Sequence, residues 1–157
     1  MKTKDQRYFE DYPKGLVLEF GPVLVDQDEV IDFAHKFDPQ YFHNDPVQAK
    51  DSIYGGLIAS GWHTASMMMR LLVEHFLPIH ASLGSPGVDE LRWLKPVFPK
   101  DQLRVRTEVL ESKLSRSKPD RGIITTQIKV INQSALALFI QLSPYLSICE
   151  TVENSQT

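Results

Sequence analysis

The strongest pattern in the chain is an apolar run from Gly61 to Leu77. Trp62, Ala65, Met67, Met68, Met69, Leu71, Leu72, Val73, Phe76 and Leu77 lie all round a helical wheel, and Arg70, Glu74 and His75 appear only near its far end. A helix apolar on every side has to be buried on nearly every side, so something must wrap around it. The second half of the chain reads as that wrapping. Val88–Leu94 looks like a strand. Leu103, Val105, Thr107 and Val109 alternate with Arg104, Arg106 and Glu108, the period-two pattern of a half-buried strand. Ile123–Ile131 is rich in Ile, Thr and Val, Asn132-Gln133-Ser134 can turn the chain, and Ala135–Leu142 is nearly continuous in apolar residues. Pro144 then imposes an edge, a bulge or a break. The loop Ser115–Gly122 is charged and reads as exposed.

Residues 1–14 are polar with scattered aromatics and read as irregular. Leu16–Leu24 has strand character, interrupted near Gly21-Pro22. Asp26 is placed to cap a helix, with Glu29 at the capping-box position. Val30, Phe33, Ala34 and Phe37 then recur at the spacing of one helix face. Pro39 disfavours helical geometry at Asp38, so this helix should stop at Phe37. Asn44 or Asp45 followed by Pro46 is expected to open a second, short helix, and Tyr54-Gly55-Gly56 punctuates the chain again. The order is strand, helices, long buried helix, four strands. It predicts an α+β domain over residues 15–150 with one antiparallel sheet curled around the long helix, followed by a polar tail, 151–157.

A chain of 157 residues is enough for one such core without disulfides or a structural metal. The single cysteine, Cys149, excludes an internal disulfide and any cysteine-based zinc cluster. A formal charge of -3 gives no basic excess for nucleic acid. No stretch of about 18 uncharged apolar residues is present to span a membrane. Asp5, Glu10 and Asp11 precede any apolar run, which argues against a signal peptide. The expected setting is a reduced, cytoplasmic one.

Polar side chains cluster where the first helix ends: Asp38, His43, Asn44 and Asp45. A carboxylate and an imidazole five residues apart, on a loop pinned by Pro39 and Pro46, could converge on one water. The imidazole can act near neutral pH, and burial in an apolar tunnel should make the carboxylate a stronger base. A single D-x4-H spacing is a weak motif, and by itself it favours a capping Asp38 and a His43 satisfied within a loop. Ser60-Gly61 opens the long helix, whose first N–H groups lack intrahelical partners and carry partial positive charge. With no side chain, Gly61 would let a ligand oxygen approach that backbone. Turn geometry or close packing explains a glycine there equally well. Met67–Met69 read as core. His35, His63, His75 and His80 show no metal spacing, and no dinucleotide, P-loop or nucleophile-elbow motif is present.

Taken together, Asp38-Pro39-Gln40-Tyr41-Phe42-His43-Asn44-Asp45, then Ala49, then Tyr54-Gly55-Gly56-Leu57-Ile58-Ala59-Ser60-Gly61, resembles the MaoC-like dehydratase family, which includes the (R)-specific enoyl-CoA hydratases. Leu91–Leu103 is similar to that family's R-x-x-x-P-V-x-x-G-D passage, and the likeness runs from about residue 10 to 148. The resemblance implies the hot-dog fold, a long central helix wrapped by a curved antiparallel sheet. It implies that Asp38 and His43 form a catalytic dyad holding the water added across an enoyl double bond. It also implies that the Gly61 N–H binds the thioester carbonyl. Gln40 and Ser60 join these as candidate substrate-binding residues. Four positions depart from the family pattern. Gln40-Tyr41 replaces Asn-Pro, Met69 stands at the place of a family serine in the polar wall, and Lys100 stands where the family often has glycine.

The function so implied is that of a hydro-lyase acting on an acyl-CoA, with no metal or redox cofactor required. A hot-dog thioesterase using the same carbonyl site and a non-catalytic acyl-CoA-binding module are the alternatives. A homodimer is expected because a single curved sheet leaves an edge strand. The basic residues of the Ser115–Gly122 loop (Arg116, Lys118, Arg121), or Arg92, Lys95 and Lys100, are candidates to hold CoA phosphates.

Overall fold

The computed structural model describes residues 2–150. Strand β1 (Val17–Leu24) is followed by helix α1 (Gln27–Phe37), the single helical turn α2 (Tyr41–Asn44), a 3-10 turn (Gln48–Asp51) and the long helix α3 (Gly61–His75). Strands β2 (Val88–Trp93), β3 (Gln102–Leu114), β4 (Arg121–Ile131) and β5 (Leu136–Ile148) complete the domain. They form one five-stranded sheet in the order β1-β3-β4-β5-β2, with every neighbouring pair antiparallel. The period-two reading of β3 holds: Leu103, Val105, Thr107 and Val109 are buried and Arg104 faces out. On one side of the sheet these residues meet Ile124, Ile128 and Leu138, and α3 lays Met67, Met68, Leu71 and Leu72 into the same cluster. This is the α+β, hot-dog arrangement.

Irregularities bend the sheet. Pairing of β1 with β3 slips between Phe20 and Val23, at Gly21-Pro22. Gly21 has φ +107°, and a Cβ there would sit 2.8 Å from the Leu103 carbonyl oxygen, so glycine is required. Beside Pro144 the register of β5 against β4 gains one residue, Ile124 facing Tyr145 and Thr126 facing Leu142. The proline therefore marks a bulge, and the strand runs on to Ile148 instead of ending at Leu142.

Several local expectations need correction. Asp26 caps α1 by accepting from the Glu29 N–H, and α1 ends at Phe37 as its period predicts. Of the apolar face, however, only Val30 and Ala34 are buried, and Phe37 is 72% exposed. The short helix expected after Pro46 is a 3-10 turn. The Asp45 carboxylate caps it by accepting from the Val47 and Gln48 N–H groups, while a helical turn at Tyr41–Asn44 precedes it. The N-terminal segment, read as irregular, forms 3-10 turns at Lys4–Gln6 and Phe9–Asp11 and contributes Phe9 and Tyr12 to the core. The Tyr12 hydroxyl donates to the Phe76 carbonyl at the end of α3. The tail 151–157 lies outside the described residues.

The central helix is less enclosed than its sequence suggests. Trp62, Met69 and Val73 remain 58%, 43% and 47% exposed. They are seven and four residues apart, so they form one stripe along α3. One five-stranded sheet covers one side of a helix, and the stripe lies outside that cover.

Lys100 has φ +73°, the only described non-glycine residue in the left-handed region. It ends the β2–β3 turn, with its N–H on the Val25 carbonyl. That conformation is why glycine suits the position. Lys100→Gly is expected to raise stability by about 1 kcal/mol through relief of the left-handed penalty, read as a shift in the urea midpoint at constant slope.

Candidate active site

The residues between α1 and α3 build a polar corner on a cavity of about 470 Å³. Asp38 stands at the C-terminus of α1, where its backbone (φ -151°, ψ 68°) leaves the helical region while its N–H still bonds the Ala34 carbonyl. Pro39 stops the helix there, and the Gln40 N–H closes a tight turn on the Asp38 carbonyl. Gln40 then starts α2, whose third residue is His43. Backbone bonds from Ile58 N–H to the Phe42 carbonyl and from Ala59 N–H to the Val97 carbonyl bring the chain back so that Ser60 caps α3 beside Asp38.

Three side chains converge on the Asp38 carboxylate. Gln40 Nε2 donates to Oδ1 at 2.7 Å, the Ser60 hydroxyl donates to Oδ2 at 2.7 Å, and His43 Nε2 lies 3.4 Å from Oδ2. His43 Nδ1 is 2.8 Å from the Ile58 carbonyl oxygen. A carbonyl can only accept, so Nδ1 carries the proton and Nε2 of the neutral ring presents its lone pair toward Asp38. Two acceptors facing each other at 3.4 Å are stable only with a proton donor serving both, such as a water or the imidazolium proton. Ser60 is fully buried, and its Oγ also accepts the Trp62 N–H at 3.3 Å, so one hydroxyl both caps α3 and orients the carboxylate.

Burial pushes the Asp38 carboxyl up, but the hydrogen bonds from Gln40 and Ser60, joined by the attraction of His43 whenever its imidazole is protonated, outweigh it and hold it below the usual range. The expectation of a base strengthened by an apolar tunnel is thus corrected: the carboxylate sits in a polar cradle that stabilises its ionised form. A group depressed in the folded state adds stability above its unfolded pKa, and that contribution is lost as pH falls through the carboxylate range. Ser60→Ala removes a helix cap and one of these bonds. It is expected to cost about 1–2 kcal/mol at pH 7, with the gap to wild type narrowing as pH falls to about 4 and below. Urea unfolding at the two pH values checks this.

Gly61 is the first residue of α3 and lines the cavity. Its N–H is among the donors that no helical carbonyl can reach. Opposite it stands Trp93, the last residue of β2. A Cβ at Gly61 would lie 2.4 Å from the indole Nε1. Trp62 meets the Trp93 ring edge-on, with centroids 5.1 Å apart. The remaining walls are apolar, from Phe42, Ile58, Ala59, Val97 and Ala137, with Thr64 as a buried hydroxyl and Lys95 on the rim.

The structure therefore brings Asp38, Gln40, His43, Ser60 and Gly61 together. Met69 does not join them; it lies in the exposed stripe, so its lack of a hydroxyl leaves this cavity's wall unchanged. The segment 115–120 does not join them either. Ser115 and Cys149 pair with residues 121 and 120 at the end of β5 opposite Ala137, and Arg121 is forked onto Asp120. Arg92 is likewise paired, with Glu90. His63 is buried, stacked on Phe33 with centroids 4.8 Å apart, and away from the cavity. Sequence reasoning missed the Ile58 carbonyl, which has no side-chain signal. It also missed Thr64, one turn after Ser60, and Trp93, which lies within the Leu91–Leu103 passage. Among the described residues no three His, Cys, Asp or Glu side chains are grouped to hold a metal ion, and no helix is long and apolar enough to cross a membrane.

A carboxylate–imidazole pair beside the N-terminus of a central helix, within a sheet that curls around it, defines a class: the chain belongs to the MaoC-like domain family, whose model matches residues 12–131. It is similar to the MaoC-like dehydratase from Rhodospirillum rubrum at 37% identity, with a TM-score of 0.82 over 90% of this chain and 97% of that one. The uncharacterized protein YdeM of Bacillus subtilis (strain 168) is 29% identical over 83% of this chain and 91% of its own. The (R)-hydratase from A. caviae involved in PHA biosynthesis shares the fold, with a TM-score of 0.69 at 24% identity over 89% of this chain and 99% of that one.

Proposed function

We propose that the protein is a hydro-lyase that adds or removes water across the α,β double bond of an acyl-CoA. The observation that carries this reading is the Asp38–His43 pair on the cavity wall next to the free N–H of Gly61. In the hydration direction a water sits between Asp38 and His43. Asp38 takes one proton from it, and the hydroxyl bonds to the β carbon. The electron pair of the double bond moves toward the thioester oxygen, where the Gly61 N–H and the partial positive charge of α3 stabilise the enolate. The proton returns to the α carbon through His43 Nε2, while Nδ1 keeps its bond to the Ile58 carbonyl and fixes the ring. Dehydration is the reverse. Gln40 and Ser60 hold the carboxylate at its working angle, and Lys95 on the rim is placed to meet a CoA phosphate.

The test is optical. Loss of the enoyl-thioester ultraviolet absorbance on a panel of enoyl-CoA chain lengths supports the hydratase. Thiol release without that loss points to a thioesterase, and neither change to a binding module.

The working form in this reading is a homodimer. The stripe Trp62, Met69 and Val73 and the half-exposed Val88 of edge strand β2 leave apolar surface on one chain that a second copy would cover. Sedimentation is expected to give a dimer or a dimer-based oligomer at micromolar concentration, and a monomer alone rejects it. A cytoplasmic location belongs to the same reading, and the one cysteine, buried and free, fits a reducing compartment.

A further inference from the structure

We infer that the Trp93 indole N–H is a second donor to the thioester oxygen, acting together with the Gly61 N–H. The inference rests on the hydro-lyase reading for its chemistry and on three observations for its geometry. First, Nε1 is the ring atom nearest the Gly61 Cβ position, at 2.4 Å. That position is one N–Cα and one carbon–carbon bond from the Gly61 nitrogen, so the two nitrogens are at most about 5.4 Å apart. An oxygen accepting from two N–H groups at about 2.9 Å each spans up to about 5.8 Å. One oxygen can therefore reach both. Second, among the described residues the indole N–H has no hydrogen-bond acceptor, and the ring's one recorded partner is the Trp62 ring at its edge. A donor without an acceptor, on a cavity wall, is available to a ligand. Third, Trp93 is the last residue of an edge strand and is half-exposed, so its ring is set by Gly61 and Trp62 instead of by the core.

This assigns Gly61 a second task. Its lack of a side chain opens the helix N-terminus and also admits the indole beside it, so two neutral donors converge where negative charge develops. A paired arrangement matters most on the enolate, whose charge exceeds that of the ground-state carbonyl, and so it should appear in kcat more than in KM.

The test separates the donor from the ring. Trp93→Phe keeps an aromatic wall without the N–H. Replacing Trp93 by β-(3-benzothienyl)alanine keeps the bicyclic shape and puts sulfur in place of the N–H. Each is expected to lower kcat by about 10–100-fold with KM within about threefold. Each should also reduce the red shift of the absorbance of bound cinnamoyl-CoA, which reports polarisation of the thioester carbonyl. A benzothienyl variant with wild-type kcat and an undiminished shift overturns the inference, as does the absence of any shift in the wild-type protein. Failure of the hydro-lyase reading looks different: no turnover in the wild-type protein, yet a cinnamoyl-CoA shift that still depends on the residue at 93.

Discussion

Asp38→Asn is expected to lower hydratase turnover by about 10²–10⁴-fold while the protein remains folded. The substitution keeps the shape of the side chain and removes the base. It also turns an amide toward one of two donors, Gln40 Nε2 and the Ser60 hydroxyl, both of which point at Asp38. The hydroxyl can rotate to accept, so the stability cost should be about 1 kcal/mol, too small to explain the loss of rate. His43→Gln should give a loss of similar size, because glutamine can bond the Ile58 carbonyl but cannot relay a proton. Since the two groups serve one water, the double variant should be little worse than the poorer single one. If both residues were only structural, activity would fall in step with the folded fraction. Turnover measured beside thermal unfolding distinguishes the two. Near-normal turnover in a folded Asp38→Asn protein would remove Asp38 from the mechanism.

Gly61→Ala should separate activity from stability in the opposite sense. The new methyl group meets Trp93 Nε1, Cε2 and Cδ1 at 2.4, 2.6 and 2.7 Å, so the indole must leave its place. The ring is half-exposed and can swing outward without opening the core. Alanine is also the better helix former by up to about 1 kcal/mol. Turnover is expected to fall by about 10–10²-fold while the melting temperature holds or rises. Because this damage is to the carbonyl side of the cavity, it should combine nearly multiplicatively with Asp38→Asn. A folded Gly61→Ala protein with wild-type kcat would show that the carbonyl side of the cavity tolerates the methyl group and the displaced Trp93 ring.

How much of this was legible in the chain depends on how local each feature is. The α1 cap, the stop before Pro39 and the alternation of β3 all follow from neighbours in sequence, and each appears where it was expected. Asp38 and His43 could be singled out as a pair through the family resemblance of residues 38–45, which their spacing alone did not establish. What could not be read was whatever depends on a distant strand or on a second surface. The carbonyl that fixes the His43 tautomer belongs to Ile58, and a backbone oxygen leaves no mark in the residue code. The direction of the Asp38 shift was misjudged because Gln40 and Ser60 are 20 residues apart along the chain yet share one carboxylate. Trp93 passes for an ordinary strand aromatic until β2 lies beside α3. The apolar wheel of Gly61–Leu77 suggested full enclosure, but Trp62, Met69 and Val73 stay exposed because one sheet covers only one side of a helix.

Asp38, Gln40, His43, Ser60 and Gly61 all come from one stretch of 24 residues, whereas another part of the cavity wall is drawn from residues 93–97 and from Ala137. In the proposed reading the Asp38–His43 pair and the turn at residues 94–97 lie on separate parts of the polypeptide, linked by the bond from Ala59 N–H to the Val97 carbonyl. Variation in residues 94–97 is expected to change which acyl group is admitted and leave the proton chemistry undisturbed. Libraries aimed at new substrates belong in that turn, and a chimaera that exchanges it with a relative's should inherit the donor's selectivity while keeping the recipient's pH profile.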